Sequence, residues 1–310
     1  MVLGGLAALL LAGDALVKGA VNLSLKLGIP ALIVGLTVVS FGTSAPELFV
    51  SVRAVLADAP GLALGNVVGS NIANVLLVLG LPALIAAVAV DRSLARDYWI
   101  MMAASALFIA LALTGAFTWW LGLVLLAGLV LMLGDCFLRA RAGRAQAMEL
   151  EGAEDDIAAT RIALYLALGL LGLPLGAHFL VAGSVNIATA LGVSEAVIGL
   201  TLVAIGTSLP ELATTTAAAW RREAGVALGN VLGSNVFNLL AIIGVASLFG
   251  AIPVPPEMLR FDLWVMLGAS ALLGAFIYTG RSITRAWGAV LLSLYLGYVL
   301  FLFTTMTAGA

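Results

Sequence analysis

The stretch Gly35-Leu-Thr-Val-Val-Ser-Phe-Gly-Thr-Ser-Ala-Pro-Glu47 is an apolar run broken by a polar knot of Thr43, Ser44, Pro46 and Glu47. Nothing around it has the composition of a loop. A carboxylate at membrane depth is costly, and a chain that keeps one marks a functional site. The same words return as Gly199-Leu-Thr-Leu-Val-Ala-Ile-Gly-Thr-Ser-Leu-Pro-Glu211. Outward from these two copies, Gly35 to Gly80 aligns with Gly199 to Gly244 at a constant offset of 164, without a gap, and 23 of the 46 positions are identical. The later part of each copy reads Gly65-Asn-Val-Val-Gly-Ser-Asn-Ile-Ala-Asn74 and Gly229-Asn-Val-Leu-Gly-Ser-Asn-Val-Phe-Asn238.

Composition sets the medium. The 310 residues are 63% hydrophobic and 10% charged, with a mean hydropathy of +1.19. A soluble domain is about 25% charged, and a soluble fold of this length could not hide so much apolar surface. The chain therefore reads as an all-α polytopic membrane protein, because helices satisfy their own backbone in lipid. The net charge of −2 says nothing about partners. The single cysteine, Cys136, cannot form an internal disulfide and reads as a small apolar filler near a helix end. The first apolar stretch lacks a small-residue cleavage site and reads as a span. No nucleotide-binding loop or catalytic triad is present, so no enzyme, cofactor or nucleic-acid partner is expected. No obligate protein partner is evident either.

A span needs about 20 apolar residues. Ten candidates result: 2–22, 31–57, 62–88, 98–116, 119–138, 161–188, 195–219, 225–248, 262–279 and 285–306. The one long polar segment holds Arg141, Arg144, Glu149, Glu151, Glu154, Asp155 and Asp156. It divides the chain into a five-helix half at 1–139, a linker at 140–160 and a second five-helix half at 161–310. In a ten-span layout, 12 of the 14 Lys and Arg residues fall on one side, and only Arg53 and Arg260 on the other. Cytoplasmic loops carry the excess of Lys and Arg. The linker is therefore expected in the cytoplasm of a prokaryotic cell (inner) membrane, with both termini outside. Five spans, an odd number, separate the two copies, so the repeats are expected upside down relative to one another. Inverted repeats with broken helices and a midplane site are a transporter design.

The spacings explain the residue types. Thr43 and Glu47 are four apart and share a helix face, as do Thr207 with Glu211, Ser70 with Asn74, and Ser234 with Asn238. Pro46 and Pro210 have no N–H, and their rings clash with the carbonyls of Gly42 and Gly206. Carbonyls freed at this depth survive only inside protein or along a wet cavity. Gly65, Gly69, Gly229 and Gly233 permit tight helix contact. The inventory is carboxylates, carbonyls, hydroxyls and amides. All offer hard oxygen, which suits Ca²⁺ with its 6–8 oxygen ligands better than metals that prefer imidazole or thiolate. Two glutamates would balance one Ca²⁺, and the same pair could also take Na⁺ or protons.

The words Gly-Thr-Ser-x-Pro-Glu at 42–47 and 206–211, each followed by Gly-Ser-Asn at 69–71 and 233–235, resemble the two α-repeats of the sodium/calcium exchanger family, within the cation/calcium antiporter superfamily. The resemblance implies ten helices, with the repeat helices as a core and the first and sixth sliding across it. It implies exchange of Na⁺ for Ca²⁺ by alternating access. Glu47 and Glu211 would be the central Ca²⁺ ligands, with the backbone carbonyls of Thr43 and Thr207 and with Asn74 and Asn238. Thr43 and Thr207 with Ser44, Ser70, Ser208 and Ser234, and the carbonyls of Ser40 and Ala204, would form the flanking Na⁺ sites. Some members, including potassium-dependent ones, carry Asp at the position of Asn238. Asn in both copies leaves a site charge of −2 and argues against that type. The linker is too short for calcium-sensing domains.

Other readings stand beside this one. The glutamates could carry protons, giving an H⁺/Ca²⁺ antiporter. A channel would pass current without a counter-ion, and a scaffold would bind no Ca²⁺. Asn74, Asn238, Ser70 and Ser234 could be interhelical glue, and Ser44 and Ser208 could cap helix fragments. Asn66, Asn71, Asn230 and Asn235 read as residues that orient backbone. His178 reads as a packed, hydrogen-bonded side chain. Asp14, its equivalent in the first half, reads as lining an ion path or an interface. Trp99, Trp119, Trp120, Trp264 and Trp287 lie near span ends and read as interfacial anchors.

Overall fold

The structure, a computed structural model, describes residues 1–148, 158–190 and 204–308. Helix α1 (Val2–Leu27) stops at Gly28, whose φ of 64° gives the left-handed residue that satisfies the last carbonyls of a helix. It therefore outruns the expected 2–22 by more than a turn. Next come α2 (Ala31–Thr43) and α3 (Ala45–Leu56), two halves of one span bent by 43° at Ser44. The first half then continues with α4 (Pro60–Ile85), α5 (Arg92–Ala112) and α6 (Trp119–Met148). The second half contains α7 (Ala159–Ala190), α8 (Ala204–Thr207), α9 (Leu209–Trp220), α10 (Ala224–Ala246), α11 (Met258–Thr279) and α12 (Arg285–Ala308).

Among the described residues, eight helices are long and apolar enough to cross a bilayer, and the bent pair α2–α3 makes a ninth. The expected span 195–219 is described only from Ala204, as α8 and α9; its earlier residues lie outside the described part. The segment expected as a linker, 140–160, is partly helical where it is described. Helix α6 continues to Met148 and α7 begins at Ala159, while residues 149–157 lie outside the described residues. Arg139 to Met148 is rich in Ala, Arg, Gln and Met, which are strong helix formers. The helix runs on past the end of its apolar stretch.

Two short pairings tie loops together. Ala116–Phe117 (β1) and Ile252–Pro253 (β2) form an antiparallel ladder, with Ala116 opposite Pro253 and Phe117 opposite Ile252. Val88 bridges Ile283. All five tryptophans read as anchors are exposed.

The core sits around α4 and α10. Every residue in the apolar window of α10 is buried, against 11% in α12. Close approach of the repeats rests on glycine: a Cβ on Gly229 would lie 3.0 Å from the Cα of Gly35 and 2.7 Å from the carbonyl oxygen of Leu32. Helices α1 and α7 pack mainly on each other. A Cβ on Gly169 would stand 2.5 Å from the Cβ of Leu16, so the two backbones touch where small residues meet. Leu9, Ala12, Leu16 and Val17 of α1, with Leu173 and Ala177 of α7, form a second apolar cluster. It rests on one side of α2, α9 and α10 through Val34, Val39, Ala218, Val226 and Ala227.

Candidate ion site

Both glutamates lie in the first turn of a helix that begins at a break. Ser44 precedes α3 with φ −84° and ψ 2°, and Ser208 precedes α9 with φ −86° and ψ 3°. The two breaks are the same bend made twice. Pro46 and Pro210 fit here because the first turn of a helix leaves its N–H groups without carbonyl partners anyway. The positive end of each helix dipole also favours a carboxylate in that turn. Widened, i→i+5-bonded turns lie close by, at Gly35–Val39 and Phe237–Ile242; such turns are frequent at functional sites.

The breaks bring the two repeats together. Glu47 and Glu211 are 0% and 1% exposed. Ser44 donates to Glu211 Oε1 at 3.1 Å. Ser208 donates to Ser70 Oγ at 3.5 Å, and Thr43 and Ser234 hydroxyls approach to 3.5 Å. Ser40 donates to the carbonyl of Gly35 at 2.7 Å and also faces the carbonyls of Asn230 and Gly229. Thr207 is half-buried and donates to Asn66 Oδ1 at 3.3 Å. Ala204 opens α8 at the start of the described part of its span. The other expected ligands, Thr43, Ser44, Ser70, Asn74, Ser208, Ser234, Asn238 and Ser40, are all buried.

The asparagines turn their oxygens the same way in both repeats. Asn74 donates its Nδ2 to Asn235 Oδ1, and Asn238 donates its Nδ2 to Asn71 Oδ1, each at 3.0 Å. With the amide nitrogens tied across the repeats, Asn74 Oδ1 and Asn238 Oδ1 are left buried with no donor. Glu47 Oε1, Glu47 Oε2 and Glu211 Oε2 are in the same condition. Buried acceptors nearly always find a partner, and a buried carboxylate without one is expensive. These five buried oxygens, on two carboxylates and two amides, are hard donors of the kind a hard cation takes. No cluster of three or more His, Cys, Asp or Glu occurs among the described residues.

Two residues set aside in the sequence lie elsewhere. Asp14 pairs with Lys18 at 2.8 Å along α1 and with Arg221, just past the end of α9. This is an interface and not the site. His178 is exposed on α7 with its ring against Phe179, so the expectation of a packed, hydrogen-bonded side chain is not met. The sequence reading did not anticipate the sulfur contacts behind the site: Asn71 Nδ2 to Met266 Sδ at 3.7 Å, and Asn235 Nδ2 to Met101 Sδ at 3.5 Å. Met101 and Met266 lie outside the aligned repeat and one position off its offset of 164, so no spacing marked them.

Comparison with known proteins agrees with this geometry. A family profile described as sodium/calcium exchanger protein matches residues 1–134 and 161–304. The chain is 35% identical over 312 residues to a putative antiporter, CaxA, of Alkalimonas amylolytica, covering 98% of each. It is 33% identical over 337 residues to the sodium/calcium exchanger MaX1 of Methanosarcina acetivorans, covering 96% of each. A solved structure of the sodium-calcium exchanger NCX_Mj superposes with a TM-score of 0.83 at 33% identity, covering 97% of each chain.

Proposed function

This chain belongs to the sodium/calcium exchanger protein family, whose members are cation/Ca²⁺ antiporters, and on that premise we propose that it moves Ca²⁺ across the cell (inner) membrane in exchange for Na⁺. The observation that carries the proposal is the set of five buried oxygens without donors on Glu47, Glu211, Asn74 and Asn238. Glu47 and Glu211 hold Ca²⁺ with Asn74, Asn238 and the carbonyls of Thr43 and Thr207. The hydroxyls of Ser44, Ser70, Ser208 and Ser234, with Thr43, Thr207 and the carbonyls of Ser40 and Ala204, take Na⁺ when Ca²⁺ has left. An empty site leaves two glutamate charges in a dry interior, where unpaired charge is costly. The loaded carrier reorients and the empty one resists, which makes exchange obligatory.

The layout in the membrane follows the charge pattern: ten spans in two inverted halves, both termini outside, residues 140–160 in the cytoplasm. Contacts between loops fit that alternation. β1 and β2 would share the outer side, and Val88 and Ile283 the inner one. The side chain of Arg92 also donates to the Tyr278 carbonyl on the inner side.

The test is ⁴⁵Ca uptake by proteoliposomes under imposed Na⁺, K⁺ and H⁺ gradients in turn. A Na⁺ gradient is expected to drive uptake, and K⁺ to leave it unchanged. Uptake driven by a pH gradient in Na⁺-free medium, with no response to Na⁺, would contradict the proposal in favour of H⁺/Ca²⁺ antiport by the same two glutamates.

A further inference from the structure

Asn66 on α4 and Asn230 on α10 each stand one turn before an ion-site serine, and each divides its amide between the two repeats. The nitrogen half stays at home. Asn66 Nδ2 donates to the Glu47 carbonyl at 3.3 Å and to Ser51 Oγ at 3.0 Å. Asn230 Nδ2 donates to the Glu211 carbonyl at 3.4 Å and to Thr215 Oγ1 at 3.1 Å. The oxygen half crosses over. Thr207 Oγ1 donates to Asn66 Oδ1 at 3.3 Å, and Thr43 Oγ1 donates to Asn230 Oδ1 at 3.1 Å. The same four-way pattern therefore occurs twice, at positions related by the repeat offset of 164.

We infer that Asn66 and Asn230 are positioning residues that hold the two halves of the ion site in register, each tying the glutamate backbone of one repeat to the threonine of the other. The inference rests on the site proposed above and extends it. Asparagine suits the task because one rigid, planar amide carries both a donor and an acceptor; serine could not span both partners. Each threonine hydroxyl reaches the amide oxygen, and that of Thr43 also lies 3.4 Å from the Ser40 carbonyl. That orients the residue whose backbone carbonyl faces the cation and keeps the hydroxyl proton off the ion. The glutamate of one repeat and the threonine of the other then move as one body. Outer partners of this kind fix the geometry of ligands they do not replace.

The experiment measures ⁴⁵Ca and ⁸⁵Sr exchange in proteoliposomes for Asn66→Ala, Asn230→Ala, Thr207→Val and the double variant Asn66→Ala/Thr207→Val. Gel filtration of each variant reports folding. The expected result is a half-saturating Ca²⁺ concentration raised about tenfold, the usual scale for loss of an outer-shell partner. The maximal rate falls less, and the preference for Ca²⁺ over Sr²⁺ narrows because the site no longer holds one size. The double variant is expected to be little worse than Asn66→Ala, because both changes remove the same bond. Unchanged half-saturation and Ca²⁺/Sr²⁺ preference in folded variants overturns the inference, as does full additivity of the pair. If Asn66→Ala does not fold, Asn230→Ala decides by the same half-saturation and preference readings. Glu47→Gln and Glu211→Gln run in parallel. Wild-type exchange in those two overturns the site itself, whereas their loss with normal asparagine variants overturns only the positioning role.

Discussion

The two repeats make the same bend and hold their glutamates differently. Ser44 of the first repeat crosses to donate to Glu211, while its equivalent, Ser208, turns to Ser70 and leaves Glu47 with no donor on either oxygen. The helices outside them differ in the same sense. Helix α1 is tied to the end of α9 through Asp14 and Arg221, whereas position 178, the equivalent on α7, carries an exposed histidine beside Phe179. The apolar window of α1 is 44% buried and that of α7 only 22%. Two copies of one sequence word meet different surroundings here. On the alternating-access proposal above, the two repeats would exchange roles in the opposite facing.

The sharpest way to break the comparison is at the glutamates. Glu47→Gln and Glu211→Gln are each expected to lower ⁴⁵Ca exchange more than about a hundredfold, since each removes half of the charge that balances a divalent ion. The protein should still elute as a folded species. Near-normal exchange in one of the two would mean that the repeats do not share a single site. Next in size are Asn74→Leu and Asn238→Leu. Each deletes one bare oxygen and strands a neighbour's Oδ1, on Asn235 or Asn71, so an affinity loss of roughly 10- to 100-fold is expected in Ca²⁺ titrations. A smaller effect, of about 1 kcal/mol or roughly fivefold, is expected for Ser44→Ala, and less for Ser208→Ala. Equal effects from the two serines would erase the asymmetry. Smallest is Asp14→Asn. A partly exposed ion pair is worth about 0–1 kcal/mol, so the ratio of exchange rates in the two directions should shift by no more than about fivefold. A shift in both directions alike would mean that the pair does not distinguish the two facings.

The breaks were legible wherever chemistry is written locally. Proline without an N–H, four residues past a glycine, gave the two breaks at Ser44 and Ser208. The repeat offset then placed a second buried glutamate just past the second break. What stayed hidden depends on contacts across the repeats. No spacing within one copy reveals that Asn74 gives its nitrogen to Asn235, or that Ser44 and Ser208 choose different partners. The Asp14–Lys18 pair was readable at four residues along one helix, but Arg221, more than two hundred positions away, was not. The helical run past Arg139 was missed for a different reason. Hydropathy reports where a span leaves the bilayer, and helix propensity alone decides how far the helix continues.

The most direct test of the shared site is calorimetric titration of Ca²⁺ into the purified protein and into Glu47→Gln and Glu211→Gln. One Ca²⁺ per wild-type chain, lost in either variant, is the predicted result. Two Ca²⁺ per chain, or a variant that keeps wild-type affinity while the other loses it, would contradict the account.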